Sequence, residues 1–67
     1  MSKSGNTVRL TGIRFIRETD AAILIDYGGM EEWIPFSQVE EIQRHPTDAS
    51  HNSILMSEWI AEKKGLI

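Results

Sequence analysis

His45 and His51, with Asp48 between them, are the side chains in this chain best suited by type to hold a metal or move a proton. The two imidazoles lie six positions apart, which is not the spacing of a helical ligand pair, and the chain has no Cys to add a thiolate. They sit in the polar segment 44–53 (RHPTDASHNS), which contains Pro46 and reads as an exposed, mobile loop. The expected state of both histidines is solvated, with no metal bound.

The acid pairs Glu31-Glu32 and Glu40-Glu41 are the other candidates for proton chemistry. Adjacent residues of a strand point to opposite faces, so neither pair makes a carboxylate dyad by itself. Gly28-Gly29 is followed by neither a helix nor a Lys-Ser/Thr, so it reads as a turn and not as a phosphate loop. With no positioned nucleophile, base or metal set, the expectation is a protein that is not an enzyme and uses no cofactor.

What the residues offer instead is a regional charge pattern. Residues 1–17 carry Lys3, Arg9, Arg14 and Arg17 and no acid, while Glu18, Asp20, Asp26, Glu31, Glu32, Glu40 and Glu41 follow with no base among them. From residue 44 onward three bases balance three acids, and the whole chain has a net charge of -3. A chain of this balance has little of the basic footprint that non-specific binding to nucleic acid requires. The acidic run instead suits a basic protein surface, reached by electrostatic steering. Asp26, Tyr27, Glu31, Glu32, Trp33, Glu40 and Glu41 are the expected protein-binding residues, with Trp33 sharing the parity of Glu31. The alternative is single-stranded nucleic acid held by Arg9, Arg14 and Arg17, with Tyr27 or Phe15 stacking on bases.

The elements that must position these groups are short. Residues 7–17 read as a strand that changes parity at Gly12, where a bulge or sharp bend is expected. Residues 21–27 alternate Ile23, Ile25 and Tyr27 against Ala22, Leu24 and Asp26, and Gly28-Gly29 supplies the positive φ of a hairpin returning through 30–35. A single helical turn at 36–38 leads into a strand at 39–43. After the loop, 54–56 is a strand, and Ser57 caps a helix over 58–64 that Gly65 ends, with Leu66 docking on the core. The predicted core is Val8, Leu10, Ile13, Phe15, Ile23, Ile25, Ile34, Val39, Ile54, Met56, Ile60 and Leu66, with Trp59 inside as well.

These elements specify one domain over 7–67 after a disordered 1–6. The expected fold is mainly β (α+β): a small, partly open antiparallel β-barrel of about five short strands with a short C-terminal helix. A three- or four-stranded sheet crossed by the helix is the second choice. At 67 residues the core is small, and without Cys no disulfide supplements it. No leader-like or membrane-spanning apolar run is present in the sequence, which reads as a cytoplasmic protein, monomeric or weakly dimeric.

Two segments carry a resemblance. IRFIRETDAAILI (13–25), followed by Glu32-Trp33-Ile34-Pro35 and Ser37-Gln38-Val39, resembles small uncharacterised proteins of phages and prophages, as does the ending WIAEKKGL (59–66). The matching residues are structural in character, and no functional residue is carried over on them. What the resemblance implies is a protein acting in the cytoplasm of a bacterial host, of the kind that binds and inhibits a host protein, as anti-CRISPR proteins do. The implied partner is a basic host surface such as a CRISPR effector subunit.

Overall fold

A computed structural model describes residues 6–67, and strands make up 52% of it, with one short helix. The order is β1 (Thr7–Thr11), β2 (Arg14–Glu18), β3 (Ala22–Tyr27), β4 (Met30–Pro35), β5 (Val39–Gln43), β6 (Ser53–Ser57) and α1 (Glu58–Lys63). One sheet has the order β1-β6-β5 and the other β2-β3-β4, all pairs antiparallel.

The mainly-β reading therefore holds, but the barrel does not. No ladder joins the two sheets among the described residues. The segment read as one bent strand is two, because Gly12 adopts φ 69 and sends the chain from β1, at the edge beside β6, into the other sheet. At the second crossing, Pro35 ends β4 without an N–H to donate and a single 3-10 turn at Phe36–Gln38 lifts the chain off before β5 begins. The two sheets close on each other through side chains instead. Leu10, Ile54 and Met56 from one meet Ile23, Ile25 and Ile34 from the other, joined by Ile13, Ile60, Ala61 and Leu66.

Nine of the twelve residues predicted for the core are buried, and Val8, Phe15 and Val39 pack against it half-buried. Trp59 is the exception to the sequence reading, being 59% exposed. A helix of six residues offers the core one narrow stripe, and Ile60 and Ala61 occupy it. The Trp59 ring lies outside that stripe, with Lys63 Nζ 5.4 Å from its centroid.

The helix is otherwise bounded as its sequence requires. Ser57 accepts from the Ile60 N–H at 3.2 Å, Glu58 lies in the first turn and Lys63 in the last. At the C-terminus Gly65 takes φ 76, its N–H bonds to the Glu62 carbonyl, and the Leu66 N–H bonds to the Ala61 carbonyl. That pair of bonds is a Schellman motif, and it turns Leu66 back into the core.

Residues 1–5 lie outside the described residues, and with them most of the segment expected to be disordered; the Asn6 carbonyl accepts from the Glu58 N–H at 3.0 Å. Of the segment 44–53 expected to be an exposed loop, residues 44–51 are exposed apart from half-buried Asp48, whereas Asn52 is buried and Ser53 is buried as the first residue of β6. Asn52 fastens the loop to the fold. Its Nδ2 donates to the Ile13 carbonyl at 3.1 Å, its Oδ1 accepts from the His45 N–H at 2.7 Å, and its own carbonyl accepts from the Gly12 N–H at 2.9 Å.

Candidate functional site

The acidic run divides between the two sheets. Antiparallel register sets Arg14, Asp26 and Glu31 side by side in one row across β2, β3 and β4, and Arg17, Leu24 and Trp33 in the next. Residues directly opposite share a face. Because Ile23, Ile25 and Ile34 are the buried alternates, both rows look outward. Trp33 is 38% exposed on this face and Leu24 is half-buried beside it. Arg14 Nη1 is 3.8 Å from Asp26 Oδ2, which fits their shared side. Asp26 Oδ1 accepts from the Gly29 N–H at 3.0 Å, so this carboxylate also builds the hairpin turn.

Of the seven residues expected to bind protein, this face gathers Asp26, Glu31 and Trp33. Tyr27 has the parity of Ile23 and Ile25 and packs against the core. Glu32 has the parity of Ile34, and its Oε1 is 4.0 Å from Lys64 Nζ at the end of the helix. Glu40 and Glu41 belong to β5 in the other sheet. A register shift between Val39 and Glu41 pairs Glu41 with Leu55 and skips Glu40, so the strict alternation expected to separate this pair is interrupted here. The charged bulge occurs on an edge strand, where it discourages another chain from adding to the sheet.

Glu41 already has partners within the chain. Its Oε1 receives Arg9 Nη2 at 3.0 Å and its Oε2 receives Gln43 Nε2 at 2.6 Å. Arg9 Nη1 also donates to Ser53 Oγ at 2.9 Å, and Ser53 Oγ donates to Gln43 Oε1 at 3.3 Å, which closes a ring of four side chains over the outward face of β1-β6-β5. The Arg9 hydrogen bond first, and that from Gln43 second, hold the Glu41 carboxyl below the usual carboxylate range. Replacing Arg9 by Met is expected to return the Glu41 midpoint toward the ordinary value, read from its side-chain carbon shift in an NMR titration. A folded pKa below the unfolded one contributes stability that is present above the ordinary Glu range and is lost as pH falls through the folded value. The stability difference between wild type and Arg9→Met is therefore open at neutral pH and closes on acidification, and it is small because the pair is solvated. An unmoved midpoint would overturn the assignment.

The three arginines of the nucleic-acid alternative do not form one set either. Arg9 is in the sheet of β1, whereas Arg14 and Arg17 are in that of β2. Phe15, a proposed stacking ring, is covered: the Arg44 guanidinium lies 5.0 Å from its centroid and is held by Glu18 Oε1 at 2.6 Å. These groups line an open cleft of about 380 Å³ with Ile16, Arg17 and Ile23. The Arg17 side chain has no ion pair or hydrogen bond among the described residues.

His45 and His51 are brought together, with ring centroids 5.1 Å apart, but the Nδ1 of each is engaged within the loop. His45 Nδ1 accepts from the N–H groups of Thr47 and Asp48 at 3.4 and 3.1 Å, which requires that nitrogen to be unprotonated. His51 Nδ1 is 2.9 Å from Asp48 Oδ2, while Asp48 Oδ1 accepts from both the N–H and the hydroxyl of Ser50. Those Ser50 bonds hold the Asp48 carboxyl below its ordinary range. The cluster is a hydrogen-bonded loop, and no group of three or more ligand side chains among the described residues is placed to hold a metal. Among the described residues no helix is long and apolar enough to cross a membrane.

Sequence reasoning missed two residues. Leu24 lay in plain view, since its parity with Asp26 already set it on the outward face beside Trp33. Asn52 had no such signal, because a polar residue in a polar loop carries no periodicity to mark it as buried. No protein-family model, curated protein or solved structure matches the chain.

Proposed function

We propose that this protein is a non-enzymatic binding module that blocks a host protein by docking the outward face of β2-β3-β4 on it. The observation that carries the reading is Trp33, an indole 38% exposed beside Leu24 and in the row next to Glu31. A large aromatic with an apolar neighbour and a charged rim is the composition of an interface anchor. The Glu31 carboxylate has no ion pair or hydrogen bond among the described residues, so it is free to meet a basic group on the partner. The phage-type wording of the sequence supports a bacterial host protein with a basic surface, such as a CRISPR effector subunit, as the target.

The test is capture of a basic effector complex from a host lysate, followed by affinity measurement with variants. Trp33→Ala should weaken the complex by about 2 kcal/mol or more, roughly thirty-fold, as loss of a central anchor does. Glu31→Lys should slow association and reduce its salt dependence. Glu40→Lys, on the other sheet, should leave affinity unchanged. Equal affinity for wild type and Trp33→Ala would sink the proposal.

A second reading is favoured by one observation, the Arg17 side chain, unpaired among the described residues and in the same row as Trp33. An indole sharing an outward face with arginines is a platform for single-stranded nucleic acid, although Asp26 and Glu31 in the adjoining row oppose phosphates. Binding of a fluorescent single-stranded oligonucleotide, steeply weakened by salt and lost with Arg14→Ala and Arg17→Ala, would establish it in place of the first.

A further inference from the structure

We infer that the outward face of β2-β3-β4 also closes on a second copy of itself, forming a two-fold homodimer that a host target must displace. The inference rests on reading this face as a docking surface, and it names the occupant of the free protein. Its ground is the charge order that the register imposes. One row runs Arg14, Asp26, Glu31 from β2 to β4, and the next runs Arg17, Leu24, Trp33.

A face packed on its own copy has an isologous contact, in which any pair formed once is formed twice. Two simple placements of the two-fold axis lie in the interface plane. An axis across the strands would lay the first row on the copy's second row, setting Arg14 against the copy's Arg17 and leaving Glu31 against Trp33. An axis along β3 lays each row on its own counterpart, reversed. Arg14 then meets the copy's Glu31, Arg17 meets the copy's Trp33, and the two Leu24 side chains meet on the axis. The second placement gives two ion pairs and two cation–π contacts around an apolar centre, so charge selects it.

Asp26 faces its own counterpart in this arrangement. Its charge is already engaged within the chain, Oδ1 with the Gly29 N–H and Oδ2 with Arg14, and its side chain is only 20% exposed. Arg14 is 71% exposed and long enough to bridge its own Asp26 to the copy's Glu31. Arg17 and Glu31, the two charged side chains of this face without an ion pair or hydrogen bond of their own among the described residues, both acquire partners.

Sedimentation velocity of the full chain over a wide dilution series is the test. Wild type should show a concentration-dependent monomer–dimer equilibrium that weakens with salt. R14E sets like charges together at both symmetry-related contacts and should raise the dimer Kd roughly a hundred-fold, about ten-fold per contact, and E31R should do the same. An equimolar mixture of the two variants should dimerise again. In the mixed dimer the acid introduced by R14E faces the base introduced by E31R, and the unaltered Glu31 of the first chain faces the unaltered Arg14 of the second. Circular dichroism of each variant checks that the fold is intact, and the mixing experiment reads the interface even if either variant is mildly destabilised. A wild type that stays monomeric throughout, or a dimer indifferent to both reversals and to mixing, overturns the inference. Capture of the basic target by R14E, which only adds negative charge to the face, is scored separately, so the host-protein reading stands or falls on its own result.

Discussion

Replacing Ile54 by Ala is expected to remove about 2 to 5 kcal/mol of folding stability. Ile54 is fully buried on β6, the central strand of its sheet, with Leu10 opposite it on β1 and Ile42 opposite it on β5. Truncation therefore opens a void against both neighbouring strands and against the facing sheet, and a core held by ladders on both sides collapses poorly into such a space. For 67 residues the total stability available is about 3 to 10 kcal/mol, so the variant loses a large part of it. Urea denaturation followed by far-UV circular dichroism is the appropriate measurement. Indole fluorescence is a weaker probe, because Trp33 and Trp59 are both exposed in the folded state. The midpoint should fall steeply with little change in slope, and Ile42→Ala, at a half-buried position on the edge strand, should cost clearly less. Equal effects at the two positions would mean that the core is not centred between the sheets.

The core was legible because alternation on β3, β4 and β6 selects Ile23, Ile25, Ile34, Ile54 and Met56 by parity alone. The hairpin and the helix were equally plain, since Gly28-Gly29 and the Ser57…Gly65 pair are local chemistry that tertiary contacts do not override. The pairing of strands was not legible. Whether Gly12 bends one strand or separates two depends on which strands pair on either side of it, and the partners of β1 are more than forty residues away on β6 while those of β2 are on β3. The acidic face was half legible for the same reason. Parity correctly joined Glu31 with Trp33, but proximity in sequence says nothing of which sheet Glu40 and Glu41 enter. The bulge at that point also breaks the alternation from which their separation was argued. Trp59 was misread because an aromatic in a capping helix is usually core, and a helix this short has room for only one inward stripe.

Asn52→Leu should be the most damaging change outside the apolar core, and Asn52→Asp should make the damage depend on pH. The leucine variant would keep the backbone bond from the Gly12 N–H but would leave the Ile13 carbonyl and the His45 N–H without their side-chain partner. Each buried polar group stripped of its bond costs about 1 to 3 kcal/mol, less where water reaches it, as it does at the exposed His45. The gain from a larger apolar side chain does not offset this, because the site is shaped for a planar amide that donates on one side and accepts on the other. Aspartate at this position keeps the acceptor for His45 and loses the donor to Ile13, except when it is protonated. Its carboxyl, buried and facing a carbonyl, is held above the ordinary range by desolvation and by the hydrogen bond that only the acid form can donate. A folded pKa above the unfolded one means that stability is fully present below the unfolded pKa and is lost as pH rises through the folded pKa. Asn52→Asp should therefore approach wild-type stability near pH 4 and fall well below it at pH 7, measured as urea midpoints at the two pH values. If the two midpoints differ from wild type by the same amount, the amide does not hold the loop through its donor, and the link from the 44–52 loop to Ile13 contributes little to the fold.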